Sequence, residues 1–379
     1  MKGTVKMIKI NTEGLKSIIA KSIKCCANNR MLPLTAMVRI EAFQDDEISL
    51  TTTNMRDFLK VTYSRDGNFD EASAAGAFDV VVNADKFLKL IQKTTSDYVS
   101  LDYDAEHRSL KIIGNGKYVI ETMVDEDGPI NYPEKFSSSP EAVYSATLSP
   151  EDINVLLSSN RSAVANTVDE ACYMGYYIDN EATLTSDRIK ICKTPVALFE
   201  QPVLFAPTTI DMLELFKESG AKVSISESGN LSIVSPDAFS VKLYSTPLEG
   251  IEDFAADTIN ELTDIAFTSF CKLRKNDFIN SLERLSIFVG AYDQNEINIS
   301  FTPEALILSN KSSSGGETLE YTQSEGFEEF SSKIELPMLL SAIKSLSTDT
   351  VELWYGQPNA VKLVDGDIIQ ILSLQGDEE

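Results

Sequence analysis

The residues that most often perform acid–base, nucleophilic or metal chemistry are few in this chain and are not spaced for it. The sequence contains one histidine, His107, which falls between two strand patterns in a predicted hairpin turn. A single solvated histidine gives little support to a histidine-centred triad or a metal cluster. Cys25 and Cys26 are adjacent, so they cannot bind a metal as a CxxC pair does. We therefore expect no enzyme activity, no catalytic residues, no metal and no cofactor.

Two short motifs are similar to ligand-binding loops but lack the context that such loops need. Gly114-Asn115-Gly116 is followed by a strand pattern rather than a helix, which indicates a tight hairpin turn and not a phosphate loop. Asp125-Glu126-Asp127-Gly128 lacks the full ligand pattern of a calcium loop and is typical of an acidic linker. Function is therefore expected to come from the arrangement of larger elements.

The predicted elements form a pattern that occurs three times. Each unit predicts a helix, paired strands, a second helix and a closing group of alternating strands, and the closing groups cover 98–123, 222–247 and 350–373. A spacing of about 125 residues is that of whole domains, since solenoid repeats span about 20–50 residues. The sequence therefore predicts an α+β fold of three similar domains with antiparallel sheets. The predicted domains are residues 1–127, 128–258 and 259–379.

Six amphipathic helices are predicted, two in each repeat. Their ranges are 12–28, 83–95, 149–162, 208–219, 274–287 and 335–347, and the first four are expected to begin at the capping residues Thr12, Asn83, Ser149 and Thr208. In the second helix Phe87 and Ile91 lie on an apolar face, while lysines occupy another face. Together the helices have a small positive charge, although the chain has a net charge of −25. Strands and loops therefore hold the negative excess.

Composition excludes several classes of protein. At 379 residues and 43% hydrophobic residues, the chain can form two or three ordinary cores. It has no apolar run long enough to span a membrane, and its first residues lack the apolar core of a signal peptide. Five cysteines, an odd number on predicted helices and strands, indicate reduced thiols. We expect a cytoplasmic protein that does not bind membranes.

An ordered set of short segments resembles the bacterial DNA polymerase III sliding clamp, the beta subunit. Leu32-Pro33 with the strand pattern that follows resembles the start of that family, and Asn131-Tyr132-Pro133 falls at its turn into the second domain. The segment after Gly175 resembles its second-domain hairpin, and Arg284-Leu285-Ser286-Ile287 resembles a third-domain helix end. The resemblance also includes the closing segment 371–375, so it covers essentially the whole chain.

The resemblance implies a processivity-clamp fold in which each domain has two inner helices and outer antiparallel sheets. Two chains would form a ring as a head-to-tail homodimer. Such a ring encircles duplex DNA without reading its sequence and tethers a replicative DNA polymerase, and the polymerase and clamp loader bind it through short peptide motifs. Twelve helices at a spacing of about 8–10 Å would surround a hole wide enough for a duplex. Helices with a small positive charge would face the DNA in such a ring, and the negative charge of the strands and loops would lie outside it.

Nine basic residues are predicted to contact the DNA. Arg30 and Lys86 fall on basic positions of the family, and the other seven follow from helix faces alone. The nine are Lys16, Lys21, Lys24, Arg30, Lys86, Lys89, Lys93, Arg274 and Lys275. For any one lysine, a solvated helix face is the simpler explanation. The family's basic loop in the second domain falls on Asn166, Thr167, Glu170, Ala171 and Cys172, so that domain is expected to contact phosphate poorly.

The resemblance also implies two protein interfaces. At the dimer interface Tyr118 and Ile120 of a first-domain edge strand would meet Ile287 and Phe288 of the third domain; the alternative is that they are core within one domain. A groove between the second and third domains would receive partner peptides. Its predicted residues are Tyr173, Leu184, Ser186, Asp187, Arg188, Ile189, Ala360, Leu372, Ser373 and Leu374.

The groove differs from the family pattern, so its peptide preference is expected to differ. Ser373 and Asp187 stand where the family has proline and histidine, and the acidic residues 376–379 follow the usual end. Two other functions remain compatible with the sequence. One is a clamp-like interaction protein that binds partner peptides without encircling DNA, as the sparse cations of the second domain would permit. The other is an unrelated β-rich structural protein, which the ordered set of segments disfavours.

Overall fold

The computed structural model of the chain describes residues 6–42, 47–63, 77–125, 128–130, 132–133, 142–166, 170–237, 240–290 and 295–375. Within these ranges every pair of neighbouring strands is antiparallel and the helices are short, which confirms the predicted α+β class with antiparallel sheets. Some residues named in the sequence analysis lie outside the described ranges: Glu126, Asp127, Asn131, Thr167 and the segment 376–379.

Most of the described chain is in strands. They are β1 (Lys6–Asn11), β2 (Met37–Ala42), β3 (Ile48–Thr53), β4 (Asp57–Tyr63), β5 (Phe78–Asn83), β6 (Tyr98–Asp104), β7 (Ser109–Ile113), β8 (Lys117–Glu121), β9 (Val124–Asp125), β10 (Gly128–Pro129), β11 (Ala142–Leu148), β12 (Tyr176–Ile178), β13 (Thr183–Ser186), β14 (Lys190–Thr194), β15 (Val203–Phe205), β16 (Ala221–Ser226), β17 (Leu231–Val234), β18 (Val241–Ser245), β19 (Ser269–Arg274), β20 (Glu296–Phe301), β21 (Ala305–Asn310), β22 (Gly316–Glu320), β23 (Gln323–Glu325), β24 (Phe330–Glu335), β25 (Thr350–Gln357), β26 (Ala360–Asp365) and β27 (Ile368–Ser373).

Six α-helices of the described residues overlap the six predicted ranges, and one helix is additional. They are α1 (Thr12–Ser22), α2 (Ala84–Gln92), α3 (Pro150–Ser158), α4 (Pro207–Met212), α5 (Ala256–Asp264), α6 (Lys275–Leu285) and α7 (Leu336–Ser345). Helices α1 and α4 end earlier than predicted, Thr208 lies inside α4 and does not cap it, and helix α5 was not predicted. None of the helices in the described ranges has the length and apolar character that a membrane span requires.

Contacts divide the chain into two compact units. The first comprises Met1–Pro150 and Met212–Thr246, and the second comprises Glu151–Asp211 and Pro247–Glu379. In the first unit, one sheet has the order β1-β6-β7-β8, a larger one has the order β11-β16-β17-β18-β4-β3-β2-β5, and β9 pairs with β10. In the second unit, a nine-stranded sheet has the order β15-β12-β13-β14-β27-β26-β25-β19-β23, and a smaller one has the order β22-β21-β20-β24.

The helices α1 and α2 lie side by side in the first unit and bury their apolar faces. The side-chain oxygen of Asn83 accepts a hydrogen bond from the backbone N–H of Lys86 at 2.9 Å, so Asn83 is the predicted N-cap of α2. The prediction of Thr12 as the N-cap of α1 is wrong. Asn11 holds that position, because its side chain accepts from the backbone N–H of Gly14 at 3.0 Å.

In the second unit, α6 and α7 lie side by side and share one core with the adjoining strands. Phe278 and Leu282 of α6 and Ile343 of α7 are completely buried there. A second core contains Leu184 and Ile371 together with Ile259 of the unpredicted α5. Helix α5 contacts both β14 and β27, so it lies over the centre of the nine-stranded sheet.

Candidate functional site

The second unit contains a mainly apolar cavity of about 290 Å³ where α5 meets β14, β26 and β27. Strand β27 pairs with β14 on one side and β26 on the other, so it brings two separate turns together. Ile191 lies opposite Ile371, and Ala360 lies opposite Ser373. The lining residues are Arg188, Ile189, Ile191, Leu262, Ile265, Phe267, Gln357, Pro358, Asn359, Ala360, Ile371 and Ser373. We call this cavity the α5 groove.

Four of the ten predicted groove residues line the α5 groove: Arg188, Ile189, Ala360 and Ser373. Leu184, Leu372 and Leu374 are not among the lining residues, and all three are buried in the cores. Side chains alternate along a strand, so Ile371 and Ser373 face the cavity while Leu372 faces the opposite core. The prediction placed Leu372 and Ser373 on the same wall of the groove, but in β27 they point to opposite faces of the sheet.

The remaining predicted groove residues support its rim. The Asp187 carboxylate accepts hydrogen bonds from the backbone N–H groups of Ile189 (3.1 Å) and Lys190 (2.6 Å). The Ser186 hydroxyl accepts from the backbone N–H of Arg188 at 2.9 Å. The Tyr173 ring lies 5.3 Å from the Phe254 ring and 5.4 Å from the Arg188 guanidinium. Asp187 thus stabilises the turn that presents Arg188.

The unpredicted wall comes from α5 and the residues after it. Leu262 and Ile265 are more than one-third exposed although they are apolar. Phe267 has the Lys362 ammonium 5.3 Å from its ring centroid. Burial lowers the pKa of Lys362, and nearby Asp264 opposes that shift. A sequence signal for this wall existed, since Leu262 and Ile265 are three residues apart, but the segment is short and rich in polar residues.

A second candidate surface in the first unit consists of cations on α1 and α2 and in the segments that follow these helices, outside the buried residues of both. Lys21, Arg30, Lys86 and Lys93 are exposed and have no ion pair with any residue that the structure describes. Lys16 pairs with Glu13 at 2.7 Å, Lys89 pairs with Asp85 at 2.8 Å, and Lys24 pairs with Glu214. We call this surface the α1–α2 cation face.

The two predicted DNA contacts of the second unit differ from each other. Arg274 is exposed at the start of α6 and has no ion pair within the described chain. Lys275 is partly buried, and its ammonium donates a hydrogen bond to the Leu346 carbonyl. The ammonium of Lys275 is therefore already bound within the second unit.

The four predicted dimer residues fall into an exposed and a buried group. Ile287 is 78% exposed, and Phe288 and Tyr118 are each about half exposed. Ile120 is buried in its own sheet, whereas Val119 between it and Tyr118 is exposed. Strands β8 and β22 are edge strands of their sheets in the described chain. Phe288 lies beside β22, because a Cβ atom at Gly315 would be 3.2 Å from its ring.

The histidine and the cysteines, which were considered for chemistry, lie in a hairpin turn and in buried or partly buried positions, respectively. His107 lies in the turn between β6 and β7, with Nδ1 2.9 Å from an Asp104 carboxylate oxygen. Hydrogen bonds from Lys111 and His107 lower the pKa of Asp104. All five cysteines are free thiols. Across the described ranges, no group of three or more histidine, cysteine, aspartate or glutamate side chains is placed to hold a metal ion.

The architecture is that of the bacterial sliding clamps. No protein-family model matches the chain, and no curated protein sequence matches it. Solved structures of this class match along nearly the whole of both chains. DNA polymerase III subunit beta from Borrelia burgdorferi has a TM-score of 0.83 at 14% identity and covers 98% of this chain and 100% of its own.

Two further structures give the same result. The sliding clamp of Bacillus subtilis has a TM-score of 0.83 at 15% identity, covering 99% of this chain and 100% of its own. DNA polymerase III beta subunit from Thermotoga maritima has a TM-score of 0.80 at 15% identity, covering 97% and 99%. The resemblance to the beta subunit is thereby confirmed as one of fold, at a sequence identity of 14–15%.

Proposed function

We propose that this protein is a DNA sliding clamp: a head-to-tail homodimer that encircles duplex DNA and tethers a replicative DNA polymerase. The observation that carries this proposal is the match of fold along the whole chain, at a TM-score of 0.83, with proteins named as DNA polymerase III beta subunits. Such a clamp acts by topology and not by catalysis. We place it in the cytoplasm, and we retain the three clamp domains 1–127, 128–258 and 259–379 as part of the proposal.

The α1–α2 cation face supports the DNA part of this proposal. Its free cations can attract phosphates without reading sequence, and such contacts are weak and sensitive to salt. Of the nine predicted contact residues, Lys16, Lys24, Lys89 and Lys275 already have partners in the chain. Phosphate binding alone would therefore be weak. A closed ring needs no strong binding, because linkage to the DNA holds it in place.

Two exposed edges support the homodimer. Strand β8 presents Tyr118 and Val119 at the edge of one sheet, and Ile287 and Phe288 lie near β22, an edge strand of another sheet. An unpaired edge strand presents free N–H and C=O groups that a second strand can satisfy. The two surfaces differ, so pairing one with the other in a second copy joins the chains head to tail.

The α5 groove supports peptide binding. At about 290 Å³ it lies at the small end of ligand pockets, and its lining is mostly apolar. A few apolar side chains of an extended peptide would fill it. We propose that the polymerase and the clamp loader bind there through short peptide motifs.

A DNA-retention experiment tests the proposal. The protein would be diluted to dissociate it and reassembled by concentration in the presence of nicked circular plasmid, and the DNA would be isolated by gel filtration in about 0.5 M salt, where phosphate contacts alone fail. We expect the protein to remain with the circle and to be lost after one restriction cut. The same plasmid cut before assembly is the matched control.

The same experiment separates the clamp from a clamp-like protein that only binds peptides. Retention on the circle that survives linearisation would mean ordinary DNA binding. No retention by a protein that is dimeric and binds peptides would remove the encircling function and leave the peptide-binding alternative.

A further inference from the structure

Among the described residues that line the α5 groove, Arg188 is the only charged one. The other lining residues are apolar or neutral, so a bound peptide would meet one positive charge beside an apolar cavity. A peptide that offers apolar side chains and one carboxylate would complement this site. The charge of Arg188 is not free, however, because a residue of the same unit already occupies it.

Glu170 is the partner of Arg188. The two side chains form an ion pair, and the Arg188 guanidinium also lies over the Tyr173 ring. The side chains of Arg188 and Glu170 are 55% and 45% exposed. An ion pair with this exposure contributes at most about 1 kcal/mol, so a second carboxylate can replace Glu170 at little cost.

The position of Arg188 depends on its own turn rather than on Glu170. Arg188 has a φ of +75°, in the left-handed region, and is the residue after Asp187 in the β13–β14 turn. Hydrogen bonds of Ser186 and Asp187 with the backbone hold that turn. Removal of the Glu170 charge should therefore leave the guanidinium at the rim of the groove.

We propose, on the basis of the peptide-binding function proposed above, that Arg188 binds a carboxylate of the partner peptide and that Glu170 competes for it from within the chain. A peptide without a nearby carboxylate leaves the Arg188–Glu170 pair in place and gains only from its apolar side chains. A peptide with a carboxylate displaces Glu170. The carboxylate can be the peptide's C-terminus or an acidic side chain next to the apolar anchors.

Binding of three synthetic peptides tests this proposal. The first ends in Leu-Phe with a free carboxylate, the second is its carboxamide, and the third is the carboxamide with an added Asp before Leu-Phe. For Glu170→Gln we expect about threefold tighter binding of at least one carboxylate peptide and unchanged binding of the plain carboxamide. For Arg188→Gln we expect that all three bind alike. Which carboxylate peptide gains identifies the source of the carboxylate.

The chain offers a matched control. Arg161 and Asp211 form an ion pair of 2.7 Å with similar exposure, 56% and 48%, and neither lines the groove. Asp211→Asn should change binding of none of the three peptides. If Glu170→Gln changed the affinity for all three peptides equally, the proposed competition by Glu170 would be overturned, but the groove would remain the peptide-binding site. If no peptide bound the wild-type protein, the proposed peptide-binding function would itself be overturned, and the competition with it.

Discussion

At the scale of single residues, exposed side chains that line the α5 groove should affect peptide binding, whereas neighbouring buried side chains should affect stability. Ile265 lines the cavity and is 39% exposed. We expect Ile265→Ala to weaken binding of a Leu-Phe peptide about fivefold, because the lost methyl groups would be covered by the peptide. Thermal denaturation should be nearly unchanged. Fluorescence anisotropy with a labelled peptide measures the first effect.

Leu372 should behave in the opposite way although it lies one residue from the groove. It is completely buried in the core that also contains Phe278 and Leu282. We expect Leu372→Ala to lower the free energy of unfolding by about 2–5 kcal/mol, as deletion of buried leucines does. Urea unfolding measures this loss. Weaker peptide binding with unchanged stability would instead place Leu372 in the groove.

The thiols supply a test that depends on pH. Burial raises the pKa of Cys26 to about 11 and that of Cys271 to about 12. Both thiols are therefore protonated at pH 7 and should react slowly with a disulfide reagent, since only the thiolate attacks. The rate at Cys26, which is partly exposed, should rise steadily towards pH 10.

The sign of the stability effect follows from the same shift. An unfolded cysteine has a pKa of about 8.5, so each raised pKa favours the folded state below that value, and the benefit declines as the pH rises above it. In denaturant at pH 8 all five thiols should react at once. Rapid reaction of a thiol in the native protein at pH 7 would contradict the described burial.

At the scale of elements, the turn that leads into β16 contains a glycine whose replacement by any other residue should destabilise the fold. Gly220 has a φ of +72°, and a Cβ atom there would lie 2.7 Å from the Leu148 carbonyl oxygen. Its backbone N–H donates to the Phe216 carbonyl at 2.8 Å, which closes the turn. We expect Gly220→Ala to cost about 2 kcal/mol or more, from the positive φ and the clash together.

Gly229 is the matched control for this prediction. Its φ of +78° is similar, but no atom lies within 4 Å of a Cβ placed there. Gly229→Ala should therefore cost only the backbone strain, about 1 kcal/mol. Urea unfolding of both variants isolates the clash as the difference between them. Equal losses would mean that the turn relaxes away from Leu148.

Elements with strong local signals could be predicted from the sequence, and those set by partners could not. Phe87 and Ile91 mark the buried face of α2, Asn83 caps it, and Gly114-Asn115-Gly116 joins β7 to β8 as expected. Helix α5 is short and mostly polar, so the sequence predicts neither the helix nor the wall that Leu262 and the following Ile265 form. The faces of β27 depend on how it pairs with β14 and β26, which no local pattern contains.

At the scale of the whole molecule, the two compact units do not follow the three sequence repeats, and the sheets explain why. The eight-stranded sheet joins β2–β5 to β16–β18, and the nine-stranded sheet joins β12–β15 to β25–β27. Residues of the middle repeat, 128–258, thus contribute strands to both sheets. Contacts group residues by shared sheet and core, whereas the sequence pattern groups them by repetition along the chain.

The homodimer supplies the last prediction. A ring of two chains requires about twice the 41.8 kDa of one chain at micromolar concentration, which light scattering measures. We expect Ile287→Asp to give a single chain, because burial of an unpaired carboxylate at the interface is costly. Phe327→Asp is the control: Phe327 is 47% exposed and belongs to the β23–β24 connection, which contributes no residue to the proposed interface, so the dimer should persist. A wild-type monomer, or a dimer that Ile287→Asp leaves intact, would rule out this interface and require the ring to close through a different pair of surfaces.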